Sequence, residues 1–153
     1  MSLDIEAQYD RIYRYCCFKL HSREMAEDVT QETFLRYLQH YRCMTTASAL
    51  QCLYTIARNL CVDEYRKRKA EYRDAPVADD AMEDRLLANL AARMALSRLT
   101  TEEQELLLLR YANEVPVSAL SKFYGVSRFA VYRRMTAAVK RFREELRKEG
   151  YDA

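Results

Sequence analysis

The chain has 153 residues, half of them apolar, with 31% charged side chains and a formal net charge of only +2. This length allows one ordinary domain or two small ones. No window approaches the roughly 18 apolar residues that a membrane-spanning helix needs. The N-terminus also lacks the basic and apolar regions of a signal peptide. We therefore expect a cytoplasmic protein without membrane insertion.

Five cysteines and two histidines show neither a disulfide-like nor a zinc-like spacing. An enzyme with a cysteine nucleophile would need a histidine base, and no recognised motif places such a pair in this sequence. We therefore expect no metal, no cofactor, no small-molecule substrate and no enzymatic activity. The cysteines are expected to be small buried thiols in a reducing compartment.

Few glycines and prolines, together with apolar residues that recur every three or four positions, predict an all-α fold. Helices are expected over residues 9–20, 23–41 and 47–69. Acidic side chains surround Pro76 and indicate a linker. A helical pattern resumes near residue 85 and continues through Leu99 to Tyr111. The prediction is two small helical domains, residues 1–70 and 92–150, joined by a short acidic linker at residues 71–91.

The second predicted helix has apolar residues on more than one face. An inward stripe is expected from four residues at 3-4-4 spacing: Ala26, Val29, Thr33 and Tyr37. A different face combines acid, amide and leucine: Asp28, Gln31, Leu35 and Leu38. Such a mixed face is typical of a helix that binds another protein. A helix that is simply buried on two sides is the alternative that spacing leaves open.

The third predicted helix becomes basic towards its end. Five residues are expected to point away from its core: Arg58, Asn59, Val62, Arg66 and Lys69. Arginine forks onto phosphate or guanine, and asparagine offers a base both a donor and an acceptor. Tyr65 and Tyr54 could stack on unpaired bases. The alternative, basic residues favoured by the helix dipole, explains residues 67–69 but not Arg58 and Asn59 in mid-helix.

Residues 117–124 and the helix that follows Gly125 predict a helix-turn-helix, with Ser127 as the capping residue. Between Lys122 and Arg143 seven side chains are basic and none is acidic, which indicates a polyanionic partner. The core stripe of the last helix is expected from Val131, Met135, Ala138, Phe142 and Leu146. The opposite face is expected from Phe129, Tyr132, Arg133, Thr136 and Lys140.

Three motifs in chain order resemble those of bacterial RNA polymerase sigma factors. AEDVTQETFLR at residues 26–36 resembles the family's AEDxxQExFLR signature, and LYTIARNL at 53–60 resembles the start of LxxIARNxxxDxxR, with Asp63 and Arg66 at its end. LTTEEQELLLLRY at 99–111, followed by GVSRFAVYRR at 125–134, resembles the second conserved domain. The short two-domain form is similar to the extracytoplasmic-function (ECF) group of the sigma-70 family.

The resemblance implies that a region 2 helical bundle precedes a region 4 helix-turn-helix. It assigns contacts with the clamp helices of the largest polymerase subunit to Asp28, Gln31, Glu32 and Leu35. It assigns the downstream, minus-ten promoter element to the outward residues of the third helix: Arg58, Asn59, Val62, Arg66 and Lys69. It assigns the upstream, minus-thirty-five element to the last helix: Ser127, Arg128, Phe129, Tyr132 and Arg133, with Thr136 and Lys140 on the same face. Tyr132 and Arg133 depart from the lysine and serine that are common in the family.

The implied function is that of a sigma factor, which binds core RNA polymerase and directs initiation at chosen promoters. The alternative is a stand-alone helix-turn-helix regulator that binds DNA and never docks on polymerase. A degenerate relative that serves only as an interaction module is a third possibility. An anti-sigma partner that holds the two domains apart also stays open, since the acidic linker would permit it.

Overall fold

The computed structural model describes residues 4–40, 45–68 and 90–150, and the chain divides into two compact units, Met1–Asp79 and Asp80–Ala153. Regular structure in the described ranges is helical, without a strand, which confirms the all-α prediction. In these ranges no helix combines the length and the apolarity that a bilayer crossing requires. The predicted linker at 71–91 lies outside the described residues except for Leu90 and Ala91, which belong to a helix.

The first unit contains helices α1 (Ile5–Leu20), α2 (Arg23–His40) and α3 (Thr46–Arg68). Helix α1 begins after Asp4, whose carboxylate accepts a hydrogen bond from the Ala7 amide at 3.2 Å. It ends at His21, which adopts a left-handed conformation with φ of 54° and donates its N–H to the Cys17 carbonyl. A left-handed residue is the usual helix stop, although glycine is the residue that normally takes this position.

The core of the first unit lies where all three helices meet, since each packs against the other two. The buried ring of Tyr15 on α1 meets that of Tyr54 on α3 edge-on, with centroids 5.5 Å apart. On α2, the hydroxyls of Thr30 and Thr33 are fully buried and donate to carbonyls one turn earlier, at 2.6 and 2.7 Å. These bonds satisfy polar groups that would otherwise be costly to bury.

The thiols of Cys16, Cys17 and Cys61 are buried in this core, as predicted for small thiols, while Cys52 is half-buried. Cys43 lies outside the described residues. The side-chain hydrogen bond with Cys16 and burial together raise the pKa of the Cys61 thiol. Cys61 is therefore held in its neutral form and packs as a small apolar residue.

The second unit contains α4 (Leu90–Ser97), α5 (Thr101–Leu107), α6 (Val117–Tyr124) and α7 (Arg128–Lys148). Helix α5 runs on into a π-helical turn, Leu108–Ala112. The helical pattern predicted through Leu99 to Tyr111 is divided at Thr100, which starts a new helix. Its hydroxyl accepts from the Glu103 amide at 3.1 Å, and the Glu103 carboxylate accepts from the Thr100 amide at 3.0 Å. This capping box is visible in the sequence as Thr-x-x-Glu.

Helix α7 packs against α4, α5 and α6 and is the centre of the second unit. Val131 and Ala138 on α7 are buried with Leu109 and Leu120. A buried carboxylate joins two further helices, since Glu105 on α5 is only 5% exposed and accepts a hydrogen bond from the Tyr124 hydroxyl on α6 at 2.8 Å.

Ion pairs also connect helices that are far apart in the sequence. On one side of α7, Arg134 lies 3.3 Å from Glu102 and Arg141 lies 2.8 Å from Glu103, both carboxylates belonging to α5. Acidic residues from the start of α5 therefore neutralise two arginines of α7.

Charged groups also hold the end of α7. The Lys148 ammonium lies 3.0 Å from Glu145, and Arg98 approaches Glu145 at 3.5 Å and Glu149 at 2.5 Å. The hydrogen bond from Lys148, assisted by Arg98, holds the pKa of Glu145 below its usual range. Glu145 is therefore charged in the folded protein and ties the turn after α4 to the last helix.

Candidate nucleic-acid and partner interfaces

The mixed face of α2 lies at the surface of the described structure. Asp28 and Gln31 are exposed, and Leu35 and Leu38 expose 51% and 55% of their surface. This exposure removes the alternative of a helix buried on two sides. Among the predicted polymerase-binding residues only Glu32 is half-buried, and its carboxylate accepts a hydrogen bond from Arg36 at 2.9 Å.

The predicted inward stripe of α2 is confirmed for three of its members. Ala26, Val29 and Thr33 are buried, whereas Tyr37 is half-buried. Phe34 also faces inward, where its ring lies 5.4 Å from that of Tyr9. The exposed leucines are therefore not needed for the core of the first unit, and a helix that exposes leucine beside acid is suited to bind another protein.

The second half of α3 presents a polar and aromatic surface. Asn59 and Arg66 are exposed, and Val62 and Tyr65 are exposed by 41% and 56%. Arg58 is half-buried. Lys69, the last of the residues predicted to face the downstream element, lies outside the described residues.

The prediction that Tyr54 could stack on a base was wrong. Tyr54 is 1% exposed and packs edge-on against Tyr15. The physical reason is helical spacing, because Tyr54 falls three and seven positions before the buried residues Ala57 and Cys61. Tyr65 is 56% exposed, so stacking on a base stays a prediction for that tyrosine.

The turn that leads into α7 is fixed by three specific contacts. Gly125 has φ of 67° and donates its N–H to the Ser121 carbonyl, and the Ser121 hydroxyl donates to the Val126 carbonyl at 2.5 Å. Ser127 then caps α7, with its hydroxyl oxygen accepting from the Ala130 amide at 3.0 Å. The Ser127 hydroxyl is exposed, so its proton is available to an acceptor in solution.

Helix α7 has the two faces that its sequence predicted. Of the core stripe, Val131, Met135 and Ala138 are buried, while Phe142 and Leu146 are half-buried. The residues predicted to face the upstream element are all exposed: Ser127, Arg128, Phe129, Tyr132, Arg133, Thr136 and Lys140. The exposed fractions of the two aromatic side chains are 71% for Phe129 and 56% for Tyr132. An exposed basic and aromatic helix face fits the major groove of DNA.

The positive charge of α7 is more unequal than a count of basic residues suggests. Arg134 and Arg141 pair with the carboxylates of α5, which partly offset their positive charge. We call the exposed face formed by Phe129, Tyr132, Arg133, Thr136 and Lys140 the recognition face. Its positive charge comes from Arg133 and Lys140, and Arg128 is exposed beside it at the start of α7. Helical spacing alone could have separated these two sets, but the acidic partners come from a different helix and needed the structure.

A cation–π contact on the recognition face was not anticipated from the sequence. The guanidinium carbon of Arg133 lies 5.2 Å from the ring centroid of Phe129, one helical turn earlier. Phenylalanine and arginine four positions apart on a helix are placed to make such a contact. The spacing is the signal that could have revealed it.

An open groove of about 460 Å³ adjoins the recognition face. Tyr111, at the π-helical turn, forms one wall, and the middle and end of α7 form the other. Tyr132, Thr136 and Lys140 border both this groove and the recognition face, whereas Phe129 and Arg133 lie outside the groove lining. Substitutions at Phe129 and Arg133 therefore test the recognition face alone.

A helical unit with an exposed face of leucine beside acid is followed by a unit that ends in a basic helix-turn-helix, which is the arrangement expected of a DNA-binding protein. Comparison with protein families matches residues 5–71 to sigma-70 region 2 and residues 95–144 to sigma-70 region 4. The chain belongs to the sigma-70 family of bacterial RNA polymerase sigma factors, and its curated relatives are members of the ECF group.

Three of these relatives show how far the similarity extends. ECF RNA polymerase sigma factor BldN of Streptomyces coelicolor is 31% identical over 134 residues, which cover 80% of this chain and 51% of BldN. SigL of Mycobacterium tuberculosis is 28% identical, with 95% of this chain and 90% of SigL covered. SigW of Bacillus subtilis is 27% identical, with 95% and 86% covered. The chain thus spans about half of BldN but most of SigL and SigW.

A solved structure shares the fold. The sigma factor RpoE of Bartonella quintana, crystallised in complex with the anti-sigma factor NepR, superimposes with a TM-score of 0.60 over 91% of both chains. Its sequence identity is 14%, so this likeness concerns the fold.

Proposed function

We propose that this chain is a sigma factor that binds core RNA polymerase and directs transcription initiation at specific promoters. The observation that carries the proposal is the pairing of two different surfaces on one chain. The face of α2 offers leucine beside acid and amide, which suits a protein partner, and α7 offers arginine, lysine and aromatic rings, which suit DNA. A protein that has to bring polymerase to a chosen DNA site needs both.

The proposal assigns the two units different tasks. Residues 1–70 would bind polymerase through Asp28, Gln31, Glu32 and Leu35 and meet the downstream promoter element through the second half of α3. Residues 92–150 would bind the upstream element through α7. Linkage between two weak binding modules raises the effective concentration of each, so neither unit has to bind tightly alone.

The proposal gives the chain no reaction of its own and places it in the cytoplasm, where polymerase and chromosome are found. Promoter opening is assigned to the holoenzyme. Unstacking DNA costs about 1.4 kcal/mol per base-pair step, which is too much for two small helical units to supply without polymerase.

The direct test is run-off transcription with core polymerase on a library of genomic fragments, with and without the chain. We expect initiation at a defined set of start sites that depends on the chain. Unchanged transcription in its presence would contradict the proposal.

A second experiment separates the sigma factor from a stand-alone regulator. Asp28→Arg should abolish run-off transcription and leave DNA binding intact, because Asp28 lies on the mixed face of α2 and not on α7. Glu24→Arg is the matched control, since Glu24 is an exposed acid on the same helix outside the proposed contact set. Normal transcription by the Asp28 variant would favour the regulator.

An anti-sigma partner is part of the proposal, supported by the fold shared with a sigma factor that was crystallised with one. We propose that such a partner covers the exposed face of α2 and therefore competes there with polymerase. A purified anti-sigma protein should therefore suppress run-off transcription by this chain, and excess core polymerase should restore it.

A further inference from the structure

Phe129 is the most exposed large apolar side chain of the described structure, at 71%, and it lies in the first turn of the recognition helix. Its ring is not required for the core of the second unit. The contact that it does make is with Arg133, whose guanidinium carbon lies 5.2 Å from the ring centroid. The role of Phe129 must therefore be sought at the surface, together with Arg133.

A ring under a guanidinium fixes the direction of a flexible side chain. Arginine has large rotamer entropy, which is lost when it forms directed hydrogen bonds. The cation–π contact with Phe129 should remove part of that freedom beforehand, and it uses none of the guanidinium N–H groups as a hydrogen-bond donor. These groups match the O6 and N7 acceptors of guanine in the major groove.

The phenylalanine ring also has surface left for DNA. Arg133 covers one part of the ring, while most of the side chain is exposed. In the major groove the apolar group that such a ring can contact is the 5-methyl group of thymine. The pair can therefore read two neighbouring base pairs, one through hydrogen bonds and one through apolar contact.

We propose that Phe129 is a positioning residue that holds the Arg133 guanidinium for a guanine of the upstream element, and that its ring contacts a thymine methyl in the adjacent base pair. This inference rests on the proposed function and specifies it further. It concerns this chain in particular, because Arg133 stands where the resemblance noted above would place a serine.

The test uses holoenzyme reconstituted from core polymerase and the full chain, transcribing a promoter library with a randomised upstream element. The wild type should prefer guanine at one base pair by about tenfold or more. Phe129→Leu, which keeps apolar volume but removes the ring face, should lose most of that preference, and Phe129→Tyr should retain it. In an Arg133→Ala background, Phe129→Leu should change the preference at that base pair no further.

Arg134→Ala is the matched control, because this neighbouring arginine pairs with Glu102 on the other side of α7. It should leave the guanine preference unchanged. A thermal melt checks that Phe129→Leu folds as the wild type does, which its exposure leads us to expect. An unchanged guanine preference in the Phe129→Leu holoenzyme would overturn the inference.

The thymine contact has its own readout. Deoxyuridine in place of the adjacent thymine removes only the methyl group and should weaken wild-type promoter binding severalfold, with no such effect for Phe129→Ala. Equal binding of both templates by the wild type would overturn this part. If the wild-type holoenzyme selects no start sites at all, the proposed function fails instead, and the two failures are thus distinguishable.

Discussion

In the first unit the buried hydroxyls of Thr30 and Thr33 bond to carbonyls of their own helix, whereas in the second the buried carboxylate of Glu105 accepts a hydrogen bond from Tyr124 on another helix. The same difference appears at the surface of the second unit. There, Arg134 and Arg141 pair with carboxylates more than thirty positions away. Ion pairs and hydrogen bonds thus join the helices of the second unit, whereas in the first unit the side-chain hydrogen bond between Cys16 and Cys61 adds to a core of apolar and aromatic packing.

The difference follows from what each unit has to present. A helix that meets a polyanion must carry many basic residues, and arginines on its reverse side would repel one another unless acids neutralise them. The two glutamates at the start of α5 supply that neutralisation. Helix α2 carries acid beside leucine on its exposed face, so it has no comparable row of basic residues to neutralise.

The largest expected effect tests the packing of the first unit. Tyr54→Ala should destabilise that unit by about 3–5 kcal/mol, because it removes a buried ring that packs edge-on against Tyr15. Native-state hydrogen exchange, read separately for α1–α3 and for α4–α7, measures it. Tyr65→Ala, at a residue that is 56% exposed, is the control and should leave exchange nearly unchanged. Similar losses from both variants would refute the assignment of Tyr54 to the core.

The next effect tests the hydrogen bond between helices in the second unit. Tyr124→Phe should destabilise that unit by about 1–3 kcal/mol, since it removes a donor from a buried carboxylate. Urea denaturation monitored by exchange in α5 and α6 gives the value. Tyr132→Phe removes the same hydroxyl at an exposed position and should change stability by less than about 0.5 kcal/mol. A loss that appeared in α1–α3 instead would break the distinction between the units.

A smaller effect separates the two sides of α7. Lys140→Ala should weaken binding to all DNA sequences and lower the salt slope of binding by about one unit, because we propose that this exposed lysine contacts phosphate. Arg141→Ala should leave the slope unchanged and destabilise the unit by less than about 1 kcal/mol, since its pair with Glu103 is partly exposed. Titrations with promoter DNA at several salt concentrations compare them. Equal salt slopes for the two variants would contradict the distinction between a DNA-binding side of α7 and a side that pairs with α5.

The smallest expected effect is a loss of stability of the second unit at acidic pH. Lys148 and Arg98 hold the folded-state pKa of Glu145 below its usual value of 4.5. A carboxyl group whose pKa is lower in the folded state stabilises the fold at pH values above its unfolded-state pKa. This stability is lost as the pH falls through the folded-state pKa. The second unit should therefore lose stability below about pH 4.5, and Glu145→Gln should remove this part of the pH dependence. Melting curves between pH 6 and pH 3 give the comparison, and a Gln variant that kept the full dependence would rule out Glu145 as a source.

Local patterns predicted much of this molecule, and contacts between helices account for what they missed. The burial of Val131, Met135 and Ala138 followed from their spacing. The helix break at Thr100 was also predictable, because the sequence contains the capping box. It was overlooked because apolar residues on both sides continue the helical pattern.

The remaining features depend on which helices become neighbours. Spacing within one helix could not show that the ring of Tyr54 packs against Tyr15. Nor could it show that Glu102 and Glu103 form ion pairs with arginines of α7. The cation–π contact of Phe129 and Arg133 was only partly predictable. Its i, i+4 spacing can be read from the sequence, but its geometry depends on side-chain rotamers.

The ion pairs that cover one side of α7 have a consequence for the speed of encounter. Because carboxylates partly offset Arg134 and Arg141 on one side, while Arg133 and Lys140 are exposed on the other, we expect a negatively charged duplex to orient the second unit before contact. Collisions should then begin with the recognition face already turned toward the DNA, which raises the fraction of collisions that lead to binding. The glutamates of α5 should thereby help to orient the second unit during diffusion, before it contacts any base pair.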